Sequence, residues 1–266
     1  MTKFVGIVCA KGGVGRTVVS INLAHSLQNL GYNTLVLDCD FTSPNIPIYL
    51  GMLTNEKTIH SVIRGNAKVN EVISLHDSGI RVIPGSIAYT DIKISNLDLL
   101  EKVLCEIEGY DIVLVDTPAG FNSNVGEIMN VMDDIICITT PELSALTDCL
   151  RTIKLADEQG KNIIGVIVNK FRDDALDMTL ESIENFLSQK VIGVIPYDNN
   201  VRNAVYLKQP VTYAYPNSRA SESFKKVSHN LAGKKYIEFK ISPPEIEHFS
   251  SVSHIIKKTF EAFGML

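Results

Sequence analysis

Lys11, Arg16 and Thr17 flank a cluster of glycines, while Asp38, Asp40 and Asp116 stand at or just beyond the ends of apolar runs further along the chain. Basic groups, a hydroxyl and carboxylates in that combination suit a polyphosphate together with a divalent cation. The stretch Ala10-Lys11-Gly12-Gly13-Val14-Gly15-Arg16-Thr17 lies between the apolar run Phe4 to Cys9 and a run of helical period, Val18 to Leu30. Strand, glycine loop and helix in that order are what a phosphate-binding loop requires. Gly12, Gly13 and Gly15 let successive backbone N–H groups turn inward without side-chain clash, and the following helix adds the positive end of its dipole. Thr17 then places its hydroxyl on an Mg2+ that bridges two phosphates. A glycine turn that merely joins strand to helix is the plainer reading, and the flanking pattern and two basic residues weigh against it.

The carboxylates fall where such a loop needs them. Asp38 and Asp40 follow the strand Thr34 to Leu37, and ligands of open α/β sheets bind at the carboxyl ends of strands. Acids in a strand-end turn are also common solvated turn residues, and it is their company with Lys11 and Thr17 that favours a site. In Tyr110 to Gly120, the apolar run Ile112-Val113-Leu114-Val115 ends in Asp116, which describes a buried parallel strand delivering a carboxylate to the Mg2+.

The remaining segments supply a scaffold. Strand-like and helix-like stretches alternate without a low-complexity break to about residue 234, so the 266 residues, 45% of them hydrophobic, predict one large α/β domain. Thr58 to Arg64 reads as a short helix, Ile80 to Ile83 as a strand closed by Pro84-Gly85, and Asn96 to Ile107 as an amphipathic helix capped by Asn96. Further strands are expected at Ile135 to Thr139, Ile163 to Val168 and Val191 to Ile195. A long helix running to about Gln159 and closing helices at Asn200 to Lys208 and Ser218 to Leu231 complete the alternation. The net charge of −5 leaves no global electrostatic footprint for nucleic acid. The five cysteines, Cys9, Cys39, Cys105, Cys137 and Cys149, form no C-x-x-C and read as reduced core residues of a cytoplasmic protein. No apolar run is long enough to span a bilayer, and no signal peptide precedes the first strand.

The glycine loop resembles the deviant Walker A loop of the MinD/ParA family of dimerising ATPases, whose pattern is K-G-G-x-G-K-T; this chain departs from it only at Arg16. The resemblance covers about residues 1 to 231. It implies a P-loop NTPase of SIMIBI type: a doubly wound, mostly parallel sheet with helices on both faces, binding ATP and Mg2+ through Gly12 to Val18. It also implies that Lys11 reaches across a homodimer interface to the partner's phosphates. Asp38-Cys39-Asp40 corresponds to the first switch, where Asp40 positions the attacking water and Asp38 belongs with Thr17 and Asp116 to the Mg2+ network. Asp116-Thr117-Pro118-Ala119-Gly120 matches the second switch. Asn169 is implied to hydrogen-bond the base, with Pro196 and Asp198 lining its pocket, although Asn at a strand end also makes simple Asx turns. Arg16 stands where the family has the lysine of the β- and γ-phosphates, and guanidinium does not replace ammonium conservatively at a packed phosphate. Slow ATP hydrolysis or an ATP-binding scaffold without turnover are therefore both open. The Tyr213 to Ser218 segment is also similar to the family.

From Ala232 onward the resemblance fades, and 234–266 form a C-terminal extension. Lys234 to Ile241 alternates like an edge strand, Pro243-Pro244 breaks the chain, and 251–263 forms a candidate amphipathic helix. Val252, Ile255, Ile256, Thr259, Phe260 and Phe263 share an arc of roughly 140°. That arc suits either packing on the chain's own domain or lying flat on the inner face of a membrane, as the terminal helix of MinD does. The resemblance thus implies spatial regulation, of a division site or a polar structure, with an unidentified protein effector. A DNA-partitioning ATPase of ParA type shares the nucleotide motifs but needs a basic surface. An iron–sulfur carrier needs cysteine pairs that this chain does not have.

Overall fold

Runs of β-branched residues alternate here with runs of helical period, and each becomes one layer of an α/β sandwich. The computed structural model describes residues 2–54, 57–88, 91, 98–121, 123–172, 174, 177–234 and 236. Its strands are β1 (Lys3–Val8), β2 (Thr34–Asp38), β3 (Ser74–Leu75), β4 (Arg81–Ile83), β5 (Ile112–Asp116), β6 (Asp134–Thr139), β7 (Asn162–Phe171) and β8 (Val191–Pro196). The helices are α1 (Arg16–Asn29), α2 (Ile46–Tyr49), α3 (Ile59–Ile63), α4 (Val69–Val72), α5 (Asp98–Cys105) and α6 (Ser123–Asn130). They continue with α7 (Leu143–Glu158), α8 (Leu180–Leu187), α9 (Asn199–Tyr206), α10 (Val211–Ala214) and α11 (Arg219–Leu231).

The strands form one sheet in the order β3-β4-β2-β5-β1-β6-β7-β8. Only β3 runs antiparallel to its neighbour, so the sheet is mostly parallel and doubly wound as the sequence predicts. Successive side chains along each strand face opposite layers, and those two apart share one. Val36, Leu114, Ile136 and Ile167 pack with α1, α10 and α11, through Leu23, Val211 and Phe224. Leu35, Leu37, Val113 and Val115 face the other way onto α3 and α5, and Ile135, Cys137 and Val166 onto α7 and α8. Helices therefore cover both faces, and every strand in the middle of the sheet reads as a continuous apolar run.

The register puts the functional strand ends together. β1 lies between β5 and β6, and β2 pairs with β5 so that Asp38 is the direct partner of Asp116. The loop between β1 and α1 consequently emerges beside both carboxylates.

Several boundaries differ from the sequence expectation. The first helix begins at Arg16, one residue ahead of Thr17, because Gly15 supplies the left-handed turn that starts it. β7 runs through Asn169 to Phe171, since a register shift lets Phe171 pair with Pro196. The short elements α2, α4, β3 and α10, too brief for periodicity to register, and the eight-residue helices α6 and α8 go beyond what the sequence pattern predicts. Of the cysteines, Cys9, Cys39, Cys137 and Cys149 are buried, whereas Cys105 at the end of α5 is exposed. The Asn96 cap and the amphipathic helix at 251–263 lie outside the described residues, as does the expected edge strand beyond Lys234 apart from Tyr236. No helix among the described residues is long and apolar enough to cross a membrane.

Phe224 of α11 is fully buried in the layer shared with α1. Phe224→Ala is expected to lower the unfolding free energy by about 3–5 kcal/mol, read by denaturant titration.

Candidate functional site

The glycine loop owes its shape to where its carbonyls go. Arg16 Nη1 donates to the carbonyls of Cys9, at 2.6 Å, and Lys11, at 3.0 Å. The Gly120 N–H donates to the Ala10 carbonyl at 2.9 Å. Lys170 Nζ donates to the Gly13 carbonyl and Asn169 Nδ2 to the Val14 carbonyl, each at 2.7 Å. Five carbonyls between Cys9 and Val14 are thus claimed by groups around the loop. An oppositely directed set of N–H groups is what an anion needs. Gly13 and Gly15 have φ of 81° and 99°, and a Cβ on Gly15 would lie 2.4 Å from Asn169 Nδ2. Glycine is required there twice over, for the backbone angle and for the space.

Thr17, in the first turn of α1, donates its hydroxyl to Asp116 Oδ2 at 2.6 Å. The second oxygen, Asp116 Oδ1, is buried without a hydrogen-bond partner among the described residues. Asp38 is fully buried beside it and accepts from the N–H groups of Asp40, at 3.1 Å, and Ile46, at 3.2 Å. Burial pushes the Asp116 carboxyl up to about 7, against the pull of the Thr17 hydroxyl and the Arg16 charge. Burial and then the nearby Asp116 charge raise Asp38 well above the carboxylate range. An orphaned carboxylate oxygen, a second buried carboxylate and a hydroxyl fit the hard oxygen ligation of Mg2+, which would relieve both charges.

Asp40 is 7% exposed, and its Oδ1 accepts from the Thr42 hydroxyl and the Ser43 N–H at 3.2 and 3.0 Å. It therefore shapes the loop that follows as well as standing beside Asp38. Arg16 turns its fork onto main chain: besides the two loop carbonyls, Nε donates to the Thr117 carbonyl at 2.9 Å. Lys11 is half-buried and forms no ion pair among the described residues.

A cavity of about 400 Å3 opens from the loop toward the ends of β7 and β8. Gly13, Gly15, Arg16, Thr17 and Val18 line one end, and Asn169, Pro196, Tyr197 and Asp198 the other. A larger cavity of about 1070 Å3 lies by Phe4, Tyr110 and Met132, at the opposite ends of the strands, and holds none of these residues. Asn169 is buried, and its Oδ1 accepts from the Lys170 N–H at 2.9 Å. One amide N–H and one lone pair remain beyond its two contacts. The Asp198 carboxylate caps α9, accepting from the Asn200 N–H at 2.8 Å and from the Ala220 N–H at 3.1 Å. Its part in the wall is structural.

A family model described as ParA, NUBPL iron-transfer P-loop NTPase, matches residues 1–232. The chain belongs to the MinD/ParA family of P-loop NTPases. Among relatives, an uncharacterized ATP-binding protein of Methanocaldococcus jannaschii is 33% identical, over 91% of this chain and 93% of its own. The antiactivator FleN of Pseudomonas aeruginosa is 28% identical, covering 86% of each chain. The septum site-determining protein MinD of Pyrococcus horikoshii, solved with Mg-ADP, superposes with a TM-score of 0.82 at 28% identity, over 87% of this chain and 96% of that one.

In this MinD/ParA chain, Thr17, Asp38, Asp40 and Asp116 meet at one point, and Asn169, Pro196 and Asp198 share one wall. Lys170, Tyr49 and Arg202 also belong to the site and carried no sequence signal of their own. Lys170 acts through a φ of 58°, which turns its side chain back to the loop, and α2 brings Tyr49 into the wall.

Between the ordinary carboxylate range and about 7, the folded chain binds the Asp116 proton and the unfolded chain does not, so this group lowers stability as pH rises through that window. Without nucleotide or Mg2+, Asp116→Asn is expected to stabilise the fold at pH 8 by about 1–3 kcal/mol, with the gain vanishing toward pH 4 in parallel denaturation curves.

Proposed function

We propose that this chain is an ATP-binding switch that dimerises on ATP, hydrolyses it slowly to ADP and phosphate, and acts in spatial regulation of a division site or a polar structure. The observation that carries the reading is the unpartnered Asp116 Oδ1 beside the Thr17 hydroxyl, at the mouth of a loop whose carbonyls are turned outward. The N–H groups of Gly12 through Arg16 meet the phosphates, and the base lies in the cavity against Asn169, Pro196 and Asp198. Thr17, Asp38 and Asp116 would hold Mg2+, which when bound neutralises charge on the β- and γ-phosphate oxygens. Asp40 orients the water for in-line attack on the γ-phosphate. Lys11 of each chain enters the other's site, and with Arg16 it balances charge developing in the transition state.

The half-buried Lys11, free of ion pairs among the described residues, supports a lysine reserved for a second copy. A positional role draws on the relatives, one named a septum site-determining protein and one an antiactivator. Residues 1–233 form the ATPase unit in this reading, and 234–266 a peripheral membrane contact through the amphipathic pattern of 251–263. Two such weak contacts in one dimer multiply their avidity, which couples nucleotide to location. A protein effector reads the dimer; with a net charge of −5, nucleic acid does not.

One observation favours a second reading. The Arg16 guanidinium is spread over three main-chain carbonyls, those of Cys9, Lys11 and Thr117, which supports a scaffold that binds ATP with little or no turnover. Single-turnover hydrolysis with light scattering separates the two. Lys11→Ala is expected to bind ATP within about threefold of wild type but to lose the dimer and the hydrolysis. Asp40→Ala should keep the dimer and slow hydrolysis by about 10²-fold or more. Wild type that dimerises without turnover, with turnover appearing in Arg16→Lys, establishes the scaffold instead.

A further inference from the structure

His60 of α3 joins three separated segments through one ring. It is 1% exposed, and both ring nitrogens are engaged. The Ser86 N–H, just past β4, donates to Nδ1 at 3.1 Å. Nε2 lies 3.1 Å from the carbonyl oxygen of Phe41, the residue after Asp40. A carbonyl can only accept and a backbone N–H can only donate. The pair of contacts therefore selects the neutral ring with its proton on Nε2. The Phe41 ring packs edge-on against the imidazole, with centroids 5.6 Å apart at 78°.

The surroundings reinforce the join. The Ile59 N–H donates to the Pro84 carbonyl at 3.0 Å, fastening α3 to the same turn. A Cβ on Gly85 would lie 2.4 Å from Pro44 Cβ, so the loop after Asp40 sits directly against that turn. Asp40 and Asp38 hold this loop from inside, through Ser43 and Ile46, and His60 holds it from outside.

We propose that His60 is a positioning residue for hydrolysis: its neutral ring clamps the 41–46 loop, and with it Asp40, against the turn after β4. This rests on the reading of Asp40 as the group that orients the attacking water. Protonating the ring sets Nδ1–H against the Ser86 N–H, donor to donor, and opens the clamp. The charged groups that bear on the ring are Arg64, capping the C-terminus of its own helix, and Asp91 beyond the β4 turn, which pair with each other. Burial holds the His60 pKa below its ordinary value, against the Phe41 carbonyl and Asp91, which raise it. The clamp is accordingly closed at neutral pH and opens as pH falls through that lowered value.

The test uses the full-length protein in two arms. Long-range 15N spectra of the histidine rings should show His60 protonated at Nε2, and acid titration should move the amide signals of 41–46 together with the ring. In single-turnover hydrolysis, wild type should lose rate on the acid side. His60→Gln, whose carboxamide still donates to Phe41 but does not titrate, should keep the rate within about threefold at pH 8 and lack the acid limb. His60→Phe should slow hydrolysis by about tenfold or more with the ATP Kd changed less than about twofold. An Nδ1-protonated ring, an unchanged acid limb in His60→Gln, or 41–46 amides indifferent to the ring's titration overturns the clamp. If wild type hydrolyses nothing at any pH, the function proposed above fails, and the spectra alone still decide whether His60 holds the loop.

Discussion

Two carboxylates carried side by side into the interior are the constraint around which this molecule is arranged. Asp38 and Asp116 end neighbouring parallel strands in direct register, both buried. With strands about 4.8 Å apart and an effective dielectric near 20, two full charges there repel by about 3 kcal/mol before any desolvation is counted. The Thr17 hydroxyl and the N–H groups of Asp40 and Ile46, at about 1 kcal/mol or more each, are together of the same order as that repulsion, which leaves desolvation as the uncompensated cost. Burial is the first cause of the raised pKa values of both acids, and the Asp116 charge adds to it at Asp38. A site that keeps an unfavourable pair at the mouth of an anion-binding loop is built for a cation and a polyphosphate arriving together.

The loop is fastened on several sides. Its carbonyls are held by Gly120 just past β5, by Arg16, and by Asn169 and Lys170 from the end of β7. The loop is thereby joined to the end of β5 and to the wall of the cavity through single hydrogen bonds. Arg16 adds a bond from Nε to Thr117 beside the two loop contacts of Nη1, using the spread of its guanidinium fork. The Arg16 guanidinium thus ties two parts of the site together. At the far end of the cavity, Arg172 stacks over Tyr197 with 4.3 Å to the ring centroid and joins the ends of β7 and β8.

Much of this was legible in the order of residues. Glycines at Gly13 and Gly15 with Thr17 behind them carry a local demand on backbone angle, and the apolar runs ending at Asp38 and Asp116 announce parallel strands by composition alone. Those signals are local, and they were read with their strand and helix types correct. The short elements α2, α4, β3 and α10 were not legible, because a few residues show no period. The reach of β7 through Asn169 depends on pairing with β8, which no local pattern specifies.

The sequence by itself determined the sheet type, the phosphate loop and the identity of the acids near it, because these follow from propensity, glycine geometry and hydrophobic patterning. Only the tertiary structure decided which polar groups meet. That Asp38 faces Asp116, that Arg16 turns onto carbonyls, that Asp198 caps a helix and that His60 spans from α3 to the loop after Asp40 are outcomes of strand register and helix docking. Such contacts join residues far apart in the chain, and hydrogen bonding and burial select among partners only once the layers have packed.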